Sequence, residues 1–182
     1  MKERNLVYAG IGARKTPDQR LRLMLRIAAR LAELGWTLRT GGAQGADQAF
    51  LDGALRAGGE VELYLPRPGH NGHYPSRYGP RVRISERPPE AAYELAARHH
   101  ARWGRLSDFV RALHARNAQI LLGPDGASEP VRFVLAWTEG GRVVGGTGMS
   151  LRMARAAGIP VVNLYDRGAL DAIARLVEQA KR

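Results

Sequence analysis

The chain contains no cysteine, which excludes disulfide staples and thiolate metal sites. Lysine is scarce as well, confined to positions 2, 15 and 181, so nearly all of the positive charge is guanidinium. Acidic residues are outnumbered. Seventeen Asp and Glu face 28 Lys and Arg, leaving a formal charge of +11 and a sequence pI near 10.9. No apolar stretch approaches the roughly 20 residues that a membrane-spanning helix needs. The opening Met1-Lys2-Glu3-Arg4-Asn5 leads into a short apolar run without the long apolar region or cleavage site of a signal peptide. These absences lead to the expectation of a soluble, cytoplasmic protein with no membrane partner.

What is present in quantity is apolar mass and glycine. Hydrophobic residues make up 45% of the 182, and there are 22 glycines. That is enough for one ordinary domain over residues 1–182 with a core of its own. The basic surplus suits a polyanionic partner, with nucleic acid the leading candidate. An arginine bias is equally what a GC-rich genome would produce, and part of the charge is solvated helix face.

Strand and helix signals alternate along the chain. Leu6 to Ala9 reads as a first strand ending at Gly10. After Pro17, the residues Leu21, Met24, Leu25, Ala28, Leu31 and Ala32 recur at helical spacing until Gly35 stops them. Trp36 to Arg39 is a second strand, and Asp47, Ala49, Phe50, Ala54 and Leu55 ride on a second helix closed by Gly58-Gly59. Val61 to Leu65 is a third strand. Such a βαβαβ unit places its strands parallel through right-handed crossovers. Residues 90–118 are helical in character, broken near Gly104, and residues 119–122 continue apolar. Phe133 to Trp137 is a fourth strand, Gly145 opens a further helix, Ile159 to Leu164 is a fifth strand, and Ala169 to Ala180 closes the chain as an amphipathic helix. The predicted class is α/β: a mostly parallel, doubly wound, Rossmann-like sheet flanked by helices.

Between Pro66 and Pro89 the pattern breaks into proline, glycine, histidine and tyrosine over a length that exceeds an ordinary connection. It reads as a long loop, functional or mobile. Arg67, His70, His73, Tyr74, Arg77 and Tyr78 combine cations with stacking faces, the mixture that single-stranded nucleic acid or nucleotide recognition uses; an arginine-rich surface loop would look the same. His70, His73, His99 and His100 lack a carboxylate or third histidine at ligand spacing, so no metal is expected.

Three glycine-bearing segments sit where an apolar run gives way to a helical pattern: Gly10-Ile11-Gly12-Ala13-Arg14-Lys15, Thr40-Gly41-Gly42-Ala43-Gln44-Gly45-Ala46-Asp47, and Gly145-Gly146-Thr147-Gly148. Open parallel sheets bind ligands at the carboxyl ends of their strands. There, glycine lets backbone N–H groups approach an anion and a helix N-terminus adds partial positive charge. The first segment gains weight from Arg14 and Lys15, although it departs from the dinucleotide fingerprint and lacks the Gly-Lys-Ser/Thr ending of a P-loop. Tight strand-to-helix packing is the alternative reason for such glycines. Thr40 offers a hydroxyl, and Asp47 is either a ribose contact or a carboxylate that caps the helix and fixes the loop.

Gly12-Ala13-Arg14 resembles the Gly-Ser-Arg turn of the DNA-processing protein A family, and Thr40 to Asp47 resembles its Ser-Gly-x-Ala-x-Gly-Ile-Asp segment. Tyr74-Pro75, Ile84-Ser85-Glu86-Arg87-Pro88 and Arg116-Asn117-Ala118-Gln119-Ile120 are similar to that family's Tyr-Pro, Ser-Glu-x-Pro and Arg-Asn-Arg-Ile elements, in the same order. The match spans about residues 6 to 165. It points to the wider Rossmann-like group that also holds the "lonely guy" cytokinin-activating phosphoribohydrolases. The resemblance implies a domain that binds single-stranded DNA through a basic pocket, forms a homodimer and helps load a recombinase. Arg14, Lys15 and Arg116 would be its phosphate contacts, with Asn117 beside them.

The hydrolase branch carries Pro-Gly-Gly-x-Gly-Thr-x-x-Glu, with the glutamate at the ribosyl centre. The matching stretch here is Val144-Gly145-Gly146-Thr147-Gly148-Met149-Ser150-Leu151-Arg152, which puts arginine at the glutamate position. A cation cannot stabilise an oxocarbenium-like centre as a carboxylate does. No Gly-x-Ser-x-Gly elbow is present either. The expectation is single-stranded DNA or nucleotide binding at a glycine-rich rim, by contacts and stacking instead of chemistry, with no cofactor. A nucleotide-ligand protein or phosphoribohydrolase-like hydrolase is the alternative.

Overall fold

The computed structural model describes residues 6–181, so the opening pentapeptide and Arg182 lie outside the described residues. The elements run β1 (Val7–Gly12), α1 (Asp18–Glu33), β2 (Thr37–Thr40), α2 (Ala46–Arg56), β3 (Val61–Tyr64), β4 (Val82–Ser85), α3 (Glu90–Arg98), α4 (Asp108–Leu122), β5 (Val134–Trp137), α5 (Gly145–Ala156), β6 (Val161–Asn163) and α6 (Ala169–Lys181). The six strands form one sheet in the order β4-β3-β2-β1-β5-β6, and every neighbouring pair is parallel.

Strand alternation sorts the side chains into two cores. Tyr8, Leu38, Leu63, Leu135 and Val162 point to the face covered by α1, α2 and α6. Val7, Ala9, Ile11, Val134 and Ala136 point to the face covered by α3, α4 and α5. Burial on both faces is why β1 and β5 read as short apolar runs without polar alternation. At the amino end of the sheet, Phe133 stacks on Tyr8 at 5.8 Å and lies 4.9 Å from Trp36, centroid to centroid.

The segment 66–89 is not a continuous loop. It carries β4, which pairs with β3 from Val61↔Val82 to Tyr64↔Ser85. The sequence Val82-Arg83-Ile84-Ser85 hides this strand because an edge strand is half-solvated: Arg83 is exposed, while Val82 and Ile84 are partly buried. Arg83 has a further role. The registers Arg39↔Glu62 and Glu62↔Arg83 set three charges side by side across β2, β3 and β4. Arg39, 1% exposed, donates to Glu62 at 2.5 Å and to the carbonyl of Glu129 at 2.5 Å. Arg83 donates to the other oxygen of Glu62 at 2.7 Å, and the Tyr64 hydroxyl to the first at 2.9 Å.

Truncating Arg39 empties a fully buried volume and strips a donor from Glu62 and from the Glu129 carbonyl inside the ladder, even with Arg83 and Tyr64 still on Glu62. Arg39→Ala should therefore destabilise the protein by about 3–5 kcal/mol, measured by urea denaturation, whereas Arg83→Ala at the exposed end should cost less than about 1 kcal/mol. Equal losses would contradict the burial gradient along this ladder.

Candidate anion-binding cleft

The order β2-β1-β5 makes the space between β1 and β5 the switch point of the sheet. The chain leaves β1 for α1 on one face and leaves β5 for α5 on the other, so their loops diverge and open a crevice at the carboxyl ends. A cleft of about 470 Å³ occupies this place. Its walls are the β1–α1 turn (Gly12, Ala13, Arg14), the start of α2 (Ala43, Asp47), one face of α4 (Val110, Leu113, His114, Arg116, Asn117) and the start of α5 (Gly145, Gly146, Thr147, Ser150).

The start of α5 is unusually open. Its N-cap, Val144, supplies no side-chain hydrogen bond, and the first turn of a helix leaves backbone N–H groups without internal partners. Gly145 has φ +64°, and a Cβ on Gly145 or Gly146 would meet no atom within 4 Å. Ser150 donates back to the carbonyl of Gly146 at 3.2 Å. Unpaired N–H groups, the helix dipole and open space are the features that an anion seat requires.

Asp47 fixes the opposite wall. Its carboxylate accepts from the N–H of Gly12 at 3.1 Å and of Ala43 at 3.4 Å, tying the β1–α1 turn to the β2–α2 turn. Of the two roles open to it in the sequence, it performs the loop-fixing one here. Arg116 lies 3.8 Å away, with both side chains 7% exposed. Burial raises the Asp47 carboxyl above its ordinary range, against the pull of Arg116 and the backbone N–H groups. Burial likewise lowers Arg116 despite Asp47, and Arg14 adds to that lowering. The pair is thus held in a dry place at a distance too long for full compensation. Arg116 Nε has no hydrogen-bond partner, and neither does Nδ1 of His114, itself 9% exposed.

The glycines before Asp47 make room for this arrangement. A Cβ on Gly41 would lie 1.2 Å from a terminal nitrogen of Arg116, so the guanidinium occupies the volume a side chain would need. The Gly42 carbonyl accepts from Nε2 of His73 at 2.8 Å and from Asn71 at 3.3 Å. Since a carbonyl accepts only, a neutral His73 ring takes its other bond from the Tyr78 hydroxyl, at 2.5 Å. The segment from Arg67 to Tyr78 is docked in this way. Arg67 also lies over the Phe109 ring at 4.9 Å, and His70 lies against the same ring at 5.5 Å.

The cleft therefore gathers Gly12, Ala13, Arg14, Asp47, Arg116, Asn117, Gly145, Gly146 and Thr147 from the candidate residues. Several others stand outside its lining. Gly10 faces Phe50 and Leu38 in the core, and Thr40 donates to the Gly10 carbonyl at 2.7 Å, a tie between strands. Gly41, Gly42 and Gly45 lie in the turn before α2, and Gly148, within α5, packs against the backbone of Val143. Lys15 is exposed beyond the wall. Arg152, at the glutamate position of the hydrolase motif, is exposed and donates to the carbonyl of Val143 at 3.4 Å. Val110, Leu113 and His114 line the cleft as well, and their spacing with Asn117, at 110, 113, 114 and 117, is the sequence signal of that helix face. Among the described residues no three His, Asp or Glu side chains are placed to hold a metal ion. No helix there is long and apolar enough to cross a membrane.

No protein-family model matches the chain, and no curated protein matches it. Solved structures do. DNA processing protein A from Helicobacter pylori matches with a TM-score of 0.56 and 18% identity over 90% of this chain and 67% of that one; the structure's subject is its single-stranded DNA binding mode. The Moco carrier protein from Chlamydomonas reinhardtii matches with a TM-score of 0.55 and 20% identity over 97% of this chain and 99% of that one. At these identities the likeness is one of fold, and the chain shares the Rossmann-like architecture of both.

If Gly41 is the space that Arg116 fills, Gly41→Ala must push the guanidinium off Asp47. The expected loss is about 1–3 kcal/mol, seen as a lower urea midpoint; an unchanged midpoint would contradict the close approach.

Proposed function

We propose that this chain binds single-stranded nucleic acid, with a backbone phosphate seated in the cleft between β1 and β5. The observation that carries the reading is the meeting of the open α5 start with a buried, incompletely paired Arg116 across one cleft at the sheet's switch point. Unpaired buried donors gain a full hydrogen bond from an anion and give up little water. Exposed Arg14 at the mouth and the surplus of +11 supply the long-range attraction. The five ordered motifs and the fold shared with a DNA-processing protein whose solved structure concerns single-stranded DNA support the same reading.

A second reading rests on the cleft's size. About 470 Å³ lies within the range of small-molecule sites, and a carrier of a small cofactor shares the fold. A free nucleotide would then be the ligand, with its phosphate in the same seat.

Fluorescence anisotropy of a labelled oligothymidine, titrated at several salt concentrations, tests the first reading. Binding should weaken steeply with salt, with a slope of about −0.7 per phosphate contacted. Arg14→Ala should reduce that slope by about 0.7 and weaken binding uniformly across sequences; combining it with Arg116→Ala should weaken binding further. No salt-sensitive binding at low ionic strength overturns the proposal. Thermal stabilisation by a mononucleotide with none by the oligonucleotide favours the second reading instead.

A further inference from the structure

His114 has no counterpart in the motifs above, yet it is the other buried group in the cleft wall with an unsatisfied polar atom. It sits one helical turn before Asn117 on α4. Its ring lies 5.1 Å from that of His100, in the segment after α3, and 6.4 Å from Trp103. The charged groups acting on it are Arg116 of its own helix and Arg152 of α5, with His100 as the titratable neighbour from the α3 side. Burial first, then these three neighbours, hold the ring below its ordinary value of 6.5, so it is neutral in the free protein near neutral pH.

A neutral imidazole among cations changes state when an anion arrives. Negative charge against the ring reverses the local potential and favours the protonated form, in which both nitrogens donate. The protonated ring carries a donor at each nitrogen, and the proton comes from solvent. We propose that His114 is a proton-coupled anion contact of this cleft: ligand binding places a proton on its ring, so affinity rises as pH falls. This rests on the reading that a phosphate occupies the cleft. The sign follows from linkage. A group protonated more readily in the complex than in the free protein strengthens binding below its bound-state value, and the gain disappears as pH rises above it. A diester phosphate keeps one negative charge throughout this range, so the ligand does not contribute to the effect.

A histidine outside the lining could imitate the behaviour. His70 is also held low, by burial and then by Arg116, Arg67, Arg14 and His73, and it stands against Phe109 outside the cleft lining. It serves as the control.

The test uses oligothymidine, whose bases do not titrate in the window, at fixed ionic strength from about pH 8 to about pH 5.5. The intact protein should bind about three- to tenfold more tightly at the acid end. His114→Asn should flatten that slope whatever its affinity at the alkaline end, and His70→Gln should retain it. Calorimetry of the unmodified protein in two buffers of different ionisation heat provides a readout independent of any variant. Peak uptake of about 0.3 to 0.5 proton per oligonucleotide is expected, the amount that a three- to tenfold gain requires. A pH-independent affinity, no proton uptake, or a slope that persists in His114→Asn overturns the role of His114 while leaving the binding proposal standing. No binding at any pH overturns both.

Discussion

One carboxylate holds the cleft edge of this molecule together. Asp47 sits in the first turn of α2, accepts N–H groups from two separate turns and faces Arg116 from a third element. Without it the β1–α1 turn, the β2–α2 turn and α4 would have no shared polar partner at the switch point. The same carboxylate works against the burial that lowers Arg116. The cleft is thus preorganised: the cation stands ready before any ligand arrives, and the cost of burying it was met on folding.

The arrangement is deliberately incomplete. An Asp–Arg pair at 3.8 Å, an unpartnered Nε and a helix start without a side-chain cap are all donor-rich and acceptor-poor. Elsewhere the chain satisfies its buried charge closely, as along Arg39, Glu62 and Arg83. The contrast between a saturated ladder under β2–β4 and an unsaturated cluster at the β1–β5 crevice separates a device for stability from the seat proposed for an anion. Both use arginine, and the hydrogen-bond count tells them apart.

Much of this was readable in the sequence, for physical reasons. Strands buried on both faces produce apolar runs, and helices with one wet face produce the 3.6-residue period, so the αβ alternation and the three glycine corners could be placed. Their convergence follows from parallel strands, which bring every carboxyl end to one edge. What escaped were features that depend on partners far along the chain. The β4 strand is an edge strand whose arginine belongs to a ladder that only register can assemble. Gly10 and Thr40 look like ligand contacts beside a glycine turn, yet one packs on Phe50 and the other ties two strands. Lys15 follows Arg14 directly, but the chain turns away between them and only Arg14 reaches the cleft. His114 and His73 stand in the sequence on a helical face and in a cation-rich segment, but the contacts that define them come from what α4 and the docked segment bring against them.

The most direct test of the central claim is a ¹H–¹⁵N NMR titration of the protein with oligothymidine. The account predicts shift changes concentrated on the amides of Gly12, Ala13, Arg14, Gly145, Gly146 and Thr147, and on the Nε–H of Arg116. Changes gathered instead at the opposite edge of the sheet, around Ser128 to Arg132 and Gly158, or no changes at saturating oligonucleotide, would contradict it.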